Sequence, residues 1–271
     1  MTRTGDTNGL TLGVVSFLNA RPLIEGLDAE PDIRLEYAVP SALAGMLLDG
    51  QVDAALIPVV DLGRRAGGTP GGGAWEQVSD ACIGSDGPTL TVRAFSRVPP
   101  ERMTTLHVDG DSHTSVALAR LIWSRCYGRR LALVPLAEAA GLDRCESVLL
   151  IGDKVVTMPP HEFAYEIDLG EAWKRWTGLP FVFAVWVAGA GWDNAVLARR
   201  LNAARDRGVA RAAEIAAEVG PNHGWPVELA CEYLTRRLMY TLTAAARAGL
   251  ERFLDLASAD GLLAARQELV R

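Results

Sequence analysis

Three short apolar segments in the first sixty residues, each followed by a turn or a helix signal, constrain the fold of this chain most strongly. They lie at residues 12–15, 33–39 and 52–59. The stretch after the first segment begins with Pro22, and proline is favoured at the first position of a helix. The stretch after the second segment has helical character, with Ser41 as its N-cap. Strands that alternate with helices form parallel sheets, so we expect an α/β fold whose first three strands end at one common edge.

Polar residues follow the first two of these strands at the predicted edge. Ser16 and Asn19 come after the first strand, and Ser41 comes after the second. A helix that begins at Pro22 would present free backbone N–H groups at this edge, and such groups bind anions. The alternative is an ordinary strand-to-helix turn in which Ser16 or Asn19 only caps the helix.

Three more groups of polar residues stand at the ends of predicted strands or ahead of a predicted helix. Ser85 opens a Ser-Asp-Gly-Pro turn, a hydroxyl cluster precedes the helix over residues 116–123, and Gly152 and Asp153 follow the strand at residues 147–151. The members of the hydroxyl cluster are Ser112, Thr114 and Ser115. Each group has a purely structural alternative, a tight turn or a helix cap, but capping accounts for only one or two of the three hydroxyls.

An apolar run at residues 181–187 has the composition of a central strand, and helical spacing dominates after it, over residues 195–219 and 227–256. We therefore predict a first lobe over residues 1–95, a second lobe over residues 96–185, and a helical segment over residues 186–271 that packs back on the first lobe. The glycine-dense residues 67–73 lack the context of a nucleotide-binding loop and predict a surface loop.

Composition excludes several classes of function. The chain of 271 residues carries a net charge of −6, which gives no basic field for nucleic acid, and no apolar run approaches the roughly 18 residues of a membrane span. Its first eleven residues lack the apolar core of a secretory signal, so we expect a cytoplasmic protein. The four cysteines form no CxxC pair, which predicts small buried side chains and neither a metal site nor disulfides. No pattern in the sequence specifies an oligomeric state.

The order and wording of these motifs resemble the MqnA family, the chorismate dehydratases of the futalosine route to menaquinone. The matching segments are VSFLNARPL at 15–23, VDAALIPV at 52–59, SDGP at 85–88 with FS at 95–96, DSHTSVAL at 111–118, IGDK at 151–154, DLGEAW at 168–173 and LPFVFAVW at 179–186. Tyr233, Tyr240, Gly249, Leu250 and Phe253 fit the pattern as well. The resemblance covers residues 10–260.

The resemblance implies a periplasmic-binding-protein type II fold of two α/β lobes, used as an enzyme without metal or cofactor. It implies conversion of chorismate to 3-[(1-carboxyvinyl)oxy]benzoate and water, with Asn19 and Ser85 as the catalytic residues. For the substrate carboxylates we expect helix N-termini, hydroxyl groups and one arginine. These predicted binding residues are Ser16, Arg21, Ser41, Ser112, Thr114, Ser115, Gly152 and Asp153. His113 departs from the family, which commonly has Arg there.

Two alternatives share the implied fold. One is a binding protein without catalytic activity that carries an aromatic acid, since fold does not fix function. The other is the paralogous MqnD enzyme, which opens with a different strand-end motif and uses a histidine base. The Ser-Phe-Leu-Asn opening at residues 16–19 favours the chorismate dehydratases.

Overall fold

A computed structural model of the protein describes residues 9–66, 75–139, 141–158, 162–189 and 194–263. Its strands are β1 (Leu10–Val15), β2 (Ile33–Ala38), β3 (Ala54–Pro58), β4 (Glu76–Ser85), β5 (Val92–Ser96), β6 (Thr105–Val108), β7 (Ala132–Pro135), β8 (Ser147–Ile151), β9 (Tyr165–Asp168), β10 (Phe181–Ala188) and β11 (Met239–Thr241). Its α-helices are α1 (Pro40–Leu48), α2 (Val59–Ala66), α3 (His113–Cys126), α4 (Lys154–Thr157), α5 (Leu169–Thr177), α6 (Asn194–Ala210), α7 (Ala212–Val219), α8 (Val227–Glu232) and α9 (Ala244–Ala259).

The first lobe is built on a six-stranded sheet with the order β11-β4-β10-β3-β1-β2. β1 pairs in parallel with β2 and β3, as the repeated strand and helix segments predict. β10 lies between β3 and β4 and is antiparallel to both. Its apolar residues are nearly all buried, which confirms that residues 181–187 form a central strand of the first sheet.

The second lobe is built on a five-stranded sheet with the order β7-β6-β8-β5-β9. The predicted boundaries at residues 95 and 185 do not match the way the strands divide. β5 lies before the first boundary but pairs with β8 and β9, and β10 starts before the second boundary but pairs in the first sheet. The chain therefore crosses between the lobes at residues 86–91 and 169–180. Alternation in β5 indicates a strand but does not identify its partner, which is why the first boundary was misplaced.

Three predicted helix starts differ from the structure. Pro22 lies inside a 3₁₀-helix, Leu18–Leu23, and begins no α-helix. The helix α1 starts at Pro40 with Val39 in the N-cap position, so Ser41 is not a cap. Proline at the first helical position fixes the helix start one residue earlier than the serine. The helix predicted over residues 116–123 is present, but α3 starts three residues earlier, at His113. Thr114 and Ser115 therefore lie inside the helix, and Ser112 is its N-cap and accepts a hydrogen bond from the Ser115 N–H.

The C-terminal region is less helical than its spacing predicts. A break at Arg211 separates α6 from α7, and residues 227–256 do not form one helix. After α8 come a π-helical turn, Tyr233–Arg237, and the edge strand β11, which pairs with β4. Thr243 then caps α9. Three residues of strand between helices are too few to show period-two alternation in the sequence.

Close backbone contacts hold the C-terminal helices against the first lobe. Gly208 of α6 packs on the 3₁₀-helix that carries Asn19, where an added Cβ would lie 1.9 Å from the carbonyl oxygen of Pro22. Edge-to-face rings of Trp173, Phe181 and Phe253 join α5, β10 and α9. Close packing therefore holds in place the 3₁₀-helix and residues 169–180, where the chain returns to the first lobe.

The remaining composition-based predictions have mixed outcomes. All four cysteines are free, and Cys82 and Cys145 are buried, but Cys126 is exposed and Cys231 is partly exposed. Residues 67–73 lie outside the described residues. No helix in the described part of the chain has the length and hydropathy to cross a bilayer.

Candidate active site

The strand ends of the two lobes face one another across a small cavity of about 40 Å³. Its lining residues are Val15, Phe17, Asn19, Pro40, Pro58, Ile83, Thr89, Thr91, Val92, Ser112, Ser115, Ile151, Gly152, Phe183, Ala184, Tyr233 and Leu238. This volume holds a few water molecules, whereas sites for small organic molecules usually enclose about 300–1,000 Å³. We call this space the interlobe cavity, and a ring-shaped ligand enters it only when the lobes separate.

Asn19 brings an unpaired polar atom to the interlobe cavity. It lies in the 3₁₀-helix just after β1, and its Oδ1 is buried without a hydrogen-bond partner among the described residues. A buried carbonyl oxygen without a partner costs about 1–3 kcal/mol, which a ligand that donates a hydrogen bond would recover. The N-cap of this 3₁₀-helix is Phe17, so the alternative that Asn19 is a cap is wrong.

Tyr233 closes the cavity opposite Asn19. Its hydroxyl lies 2.7 Å from Thr91 Oγ1, and its ring stacks on Trp225 with centroids 4.8 Å apart. Burial raises the pKa of Tyr233 well above its usual value, although hydrogen bonds from Thr91 and Asn19 act in the opposite direction. Tyr233 is therefore a neutral phenol that lines the cavity together with Asn19.

The N-terminus of α3 supplies two hydroxyls from the second lobe. Ser112 and Ser115 both line the interlobe cavity, and their Oγ atoms are 3.0 Å apart. The first N–H groups of an α-helix have no partner within the helix and carry a partial positive charge. This end of α3 can therefore bind a carboxylate, as the sequence predicts.

Thr89 and Thr91 also line the cavity, and the sequence-based interpretation missed them. They precede β5, where the spacing of two residues is a signal that both side chains share one face. Leu90 between them has φ of 71°, the only positive φ outside glycine among the described residues. The Asp168 carboxylate holds this turn by accepting from the N–H of Thr89 at 3.0 Å and of Leu90 at 2.8 Å.

Of the ten predicted site residues, the interlobe cavity brings together Asn19, Ser112, Ser115 and Gly152. Ser16 and Ser41 are placed outside its lining: the Ser16 N–H donates to Ala38, and the Ser41 N–H donates to Asp111. Both serines follow strand ends as predicted. The bond from Ser16 joins the ends of β1 and β2, whereas the bond from Ser41 joins α1 to the residue before the α3 cap in the second lobe.

Ser85 and Thr114 are fully buried outside the cavity lining. The Ser85 Oγ has no hydrogen-bond partner among the described residues and packs under α5, close to Gly170. Thr114 Oγ1 accepts from the backbone N–H of Val60 at 3.2 Å, which ties α3 to α2. Neither side chain lines the interlobe cavity in this arrangement of the lobes, and the predicted contacts of both residues with the substrate stay predictions.

Arg21 and Asp153 belong to a network that joins the lobes beside the cavity. Asp153 accepts from the Leu18 N–H, from His223 Nδ1 at 2.8 Å and from Trp225 Nε1 at 2.9 Å. Arg21 lies 3.4 Å from His223 Nε2 and stacks on the Tyr37 ring. These contacts engage both charged groups, and the predicted binding of substrate by Arg21 and Asp153 stays a prediction.

None of the described histidines lines the interlobe cavity. His107 Nδ1 contacts the carbonyl of Ser147, and His223 contacts Asp153. His113 Nδ1 lies 2.9 Å from Asp61 Oδ2, so the residue that departs from the family pattern pairs with α2 across the lobes. Across the described ranges there is also no cluster of three or more residues suited to hold a metal ion.

The model of a protein family described as menaquinone biosynthesis matches residues 10–259. The chain belongs to this family. Among curated proteins, the family member resembles the chorismate dehydratase of Thermus thermophilus, with 28% identity over 268 residues that cover 90% of this chain and 93% of the relative.

Solved structures confirm the two-lobed fold of this menaquinone biosynthesis family member. A protein from Archaeoglobus fulgidus matches with a TM-score of 0.71 and 14% identity over 95% of this chain and all of that chain. The periplasmic aliphatic sulphonate binding protein of Escherichia coli matches with a TM-score of 0.60 and 15% identity over 95% of this chain and 89% of that chain. At these identities the likeness concerns the fold alone.

Proposed function

We propose that this protein is a chorismate dehydratase, a carbon–oxygen lyase that converts chorismate to 3-[(1-carboxyvinyl)oxy]benzoate and water. The observation that carries the proposal is the buried, unpaired Oδ1 of Asn19 at a cavity lined by both lobes. In this reaction the C3–H and C4–O bonds break, the ring becomes aromatic, and the proton and the hydroxide leave as water. The driving force lies in the substrate, so the enzyme has to orient it and stabilise the charge that develops.

The walls of the interlobe cavity suit a planar ring with polar substituents. Phe17, Ile83, Ile151 and Phe183 supply apolar surface from both sheets. Polar groups converge from Asn19, the two threonines before β5 and the two serines of α3. Apolar walls with a few directed polar groups are typical of sites for small molecules.

Asn19 orients the departing hydroxyl in this proposal. The buried Oδ1 of Asn19 has no partner among the described residues, so in this proposal it accepts a hydrogen bond from the C4 hydroxyl. That contact aligns the C4–O bond for departure.

The base that removes the C3 proton is, in this proposal, a carboxylate of the substrate. Among the described lining residues Tyr233 is the only titratable group, and its raised pKa keeps it protonated. A neutral phenol cannot accept a proton from carbon. The enolpyruvyl ether that bears this carboxylate is attached at C3, the carbon that loses its proton, so the carboxylate can take up that proton without a protein base.

Conversion of chorismate by the purified protein tests the proposal. We expect 3-[(1-carboxyvinyl)oxy]benzoate to form in a chromatographic or NMR assay, with Asn19→Ala as the matched variant that lacks the orienting group. Saturable binding of chorismate without product would instead identify a binding protein of the same fold. A protein that neither binds nor converts chorismate would favour the MqnD-type alternative. That alternative is already disfavoured, because none of the described histidines lines the cavity.

A further inference from the structure

A second, larger cavity lies away from the lobe interface, where the end of α3, the turn before β7 and the end of α9 meet. It encloses about 530 Å³, within the range of about 300–1,000 Å³ that is usual for sites of small molecules. Four arginines line it: Arg120, Arg125, Arg129 and Arg130. We call it the arginine cavity.

Two of these arginines already have partners. Arg125 forms an ion pair with Asp260, the only carboxylate among the described lining residues, and Arg129 Nε donates to the carbonyl oxygen of Glu101 at 2.7 Å. Arg120 and Arg130 have no hydrogen bond or ion pair with any described residue. Two guanidinium groups therefore remain free to bind a ligand.

The free pair is electrostatically unfavourable as it stands. Arg120 is partly buried, and its burial together with the nearby charge of Arg130 lowers the pKa of its guanidinium. Four cations against one carboxylate give a local excess of positive charge in a chain whose net charge is −6. Three of the four arginines are exposed and Arg120 is partly buried; like charges around one concavity repel one another, and a bound anion would relieve this repulsion.

Complementing a helix dipole does not explain the cluster. Cations in the last turn of an α-helix offset its negative end, and Arg125 meets that need for α3. Arg120 lies more than a turn earlier on the same helix, and Arg130 lies beyond the helix end. Both side chains nevertheless line the same cavity.

We infer that the arginine cavity binds a small molecule that carries a diphosphate or two phosphate groups. Guanidinium groups bind phosphate oxygens through paired, charge-assisted hydrogen bonds. A single carboxylate has too few oxygen atoms to bind Arg120 and Arg130 and also reach Arg125 and Arg129, which already have partners. The volume leaves room for an organic group besides the phosphates. This inference does not rest on the proposed dehydratase activity.

Calorimetric titration of the full chain with inorganic pyrophosphate at low ionic strength tests the inference. We expect saturable binding with a Kd of about 1 mM or tighter. The double variant R120Q/R130Q should weaken it about tenfold or more, because it removes two charged donors. The control R236Q/R252Q removes the same charge from two exposed arginines outside the cavity and should change the Kd less than about twofold.

Three results would overturn the inference: no saturable binding of pyrophosphate, equal weakening by both double variants, or binding of acetate as tight as that of pyrophosphate. Arg120 is partly buried, so its replacement can lower stability. Arg130 is exposed, and R130Q alone supplies the same comparison against R252Q if the double variant does not fold.

Discussion

At the scale of single residues, two buried tyrosines show how the same group has opposite consequences in different surroundings. The Tyr233 hydroxyl lies 2.7 Å from Thr91 Oγ1, whereas the Tyr240 hydroxyl is buried with no hydrogen-bond partner among the described residues. A paired buried hydroxyl stabilises the fold, while an unpaired one carries a desolvation cost. Only the first of these hydroxyls can organise the interlobe cavity.

Tyr233→Phe should therefore lower the free energy of unfolding by about 1–2 kcal/mol, because it leaves Thr91 unpaired in a buried position. It should also lower kcat on chorismate, since the cavity loses a polar group that lines it together with Asn19. Tyr240→Phe is the matched control, and its unfolding free energy should stay the same or rise. Denaturant titration and steady-state kinetics check both, and equal effects of the two variants would contradict the roles assigned here.

The residue scale also shows what the sequence could and could not reveal about the site. Ser112 was predictable because a cap depends on the next three residues. Thr89 and Thr91 carried a spacing signal that went unused, and Asp153 could not be assigned, since its partners His223 and Trp225 are about seventy positions away. Such long-range pairing is a property of the tertiary fold and leaves no local pattern.

At the scale of elements, the position of Asn19 depends on the contact between α6 and the 3₁₀-helix Leu18–Leu23. Gly208 allows this contact, because any side chain would strike the Pro22 backbone. Gly45 in α1 offers the opposite case, since an added Cβ meets no atom within 4 Å. Both glycines lie within α-helices, but neighbouring atoms block the Cβ position only at Gly208.

Gly208→Ala should reduce stability by about 2 kcal/mol or more through overpacking, and should lower activity by moving Asn19. Gly45→Ala should raise stability by about 0.5–1 kcal/mol, because alanine favours the helix and restricts the unfolded chain. Thermal unfolding and chorismate turnover measure both variants. A Gly208→Ala protein as stable and active as the wild type would show that the helix contact does not position the site.

Strands and helices differ in how well the sequence predicted them. β1, β3 and β10 were predicted because buried strands are continuous apolar runs, and the partly buried β2 was predicted from its alternation of apolar and polar residues. The C-terminal helix over residues 227–256 was wrong, since the π-helical turn and β11 depend on pairing with β4 and not on local spacing. The lobe boundary failed for the same reason, because partner choice for β5 is decided by the assembled sheet.

At the scale of the whole molecule, Asp153 joins the second lobe to the first and to the C-terminal segment through charge-assisted hydrogen bonds. The interlobe cavity of about 40 Å³ requires these contacts to open when substrate enters. We therefore expect the lobes to adopt an open arrangement as well as this closed one, with Asp153 favouring the closed one.

Asp153→Asn should shift the protein toward the open arrangement, because the neutral amide binds the three N–H donors more weakly. We expect a larger radius of gyration in small-angle X-ray scattering and a higher KM for chorismate. Asp109→Asn is the control, since the Asp109 ion pair with Lys154 lies within the second lobe. Equal radii for wild type and Asp153→Asn would show that Asp153 does not hold the lobes together.

The central claim is that Asn19 at the interlobe cavity orients chorismate for dehydration, and the turnover of Asn19→Asp on chorismate tests it most directly. Aspartate can accept the same hydrogen bond, but its negative charge would face a substrate with two carboxylates. At close range this repulsion is on the order of several kcal/mol. We predict that kcat falls by about 10²–10³ relative to the wild type, with the fold intact by circular dichroism. A folded Asn19→Asp protein that converts chorismate at the wild-type rate would contradict the account.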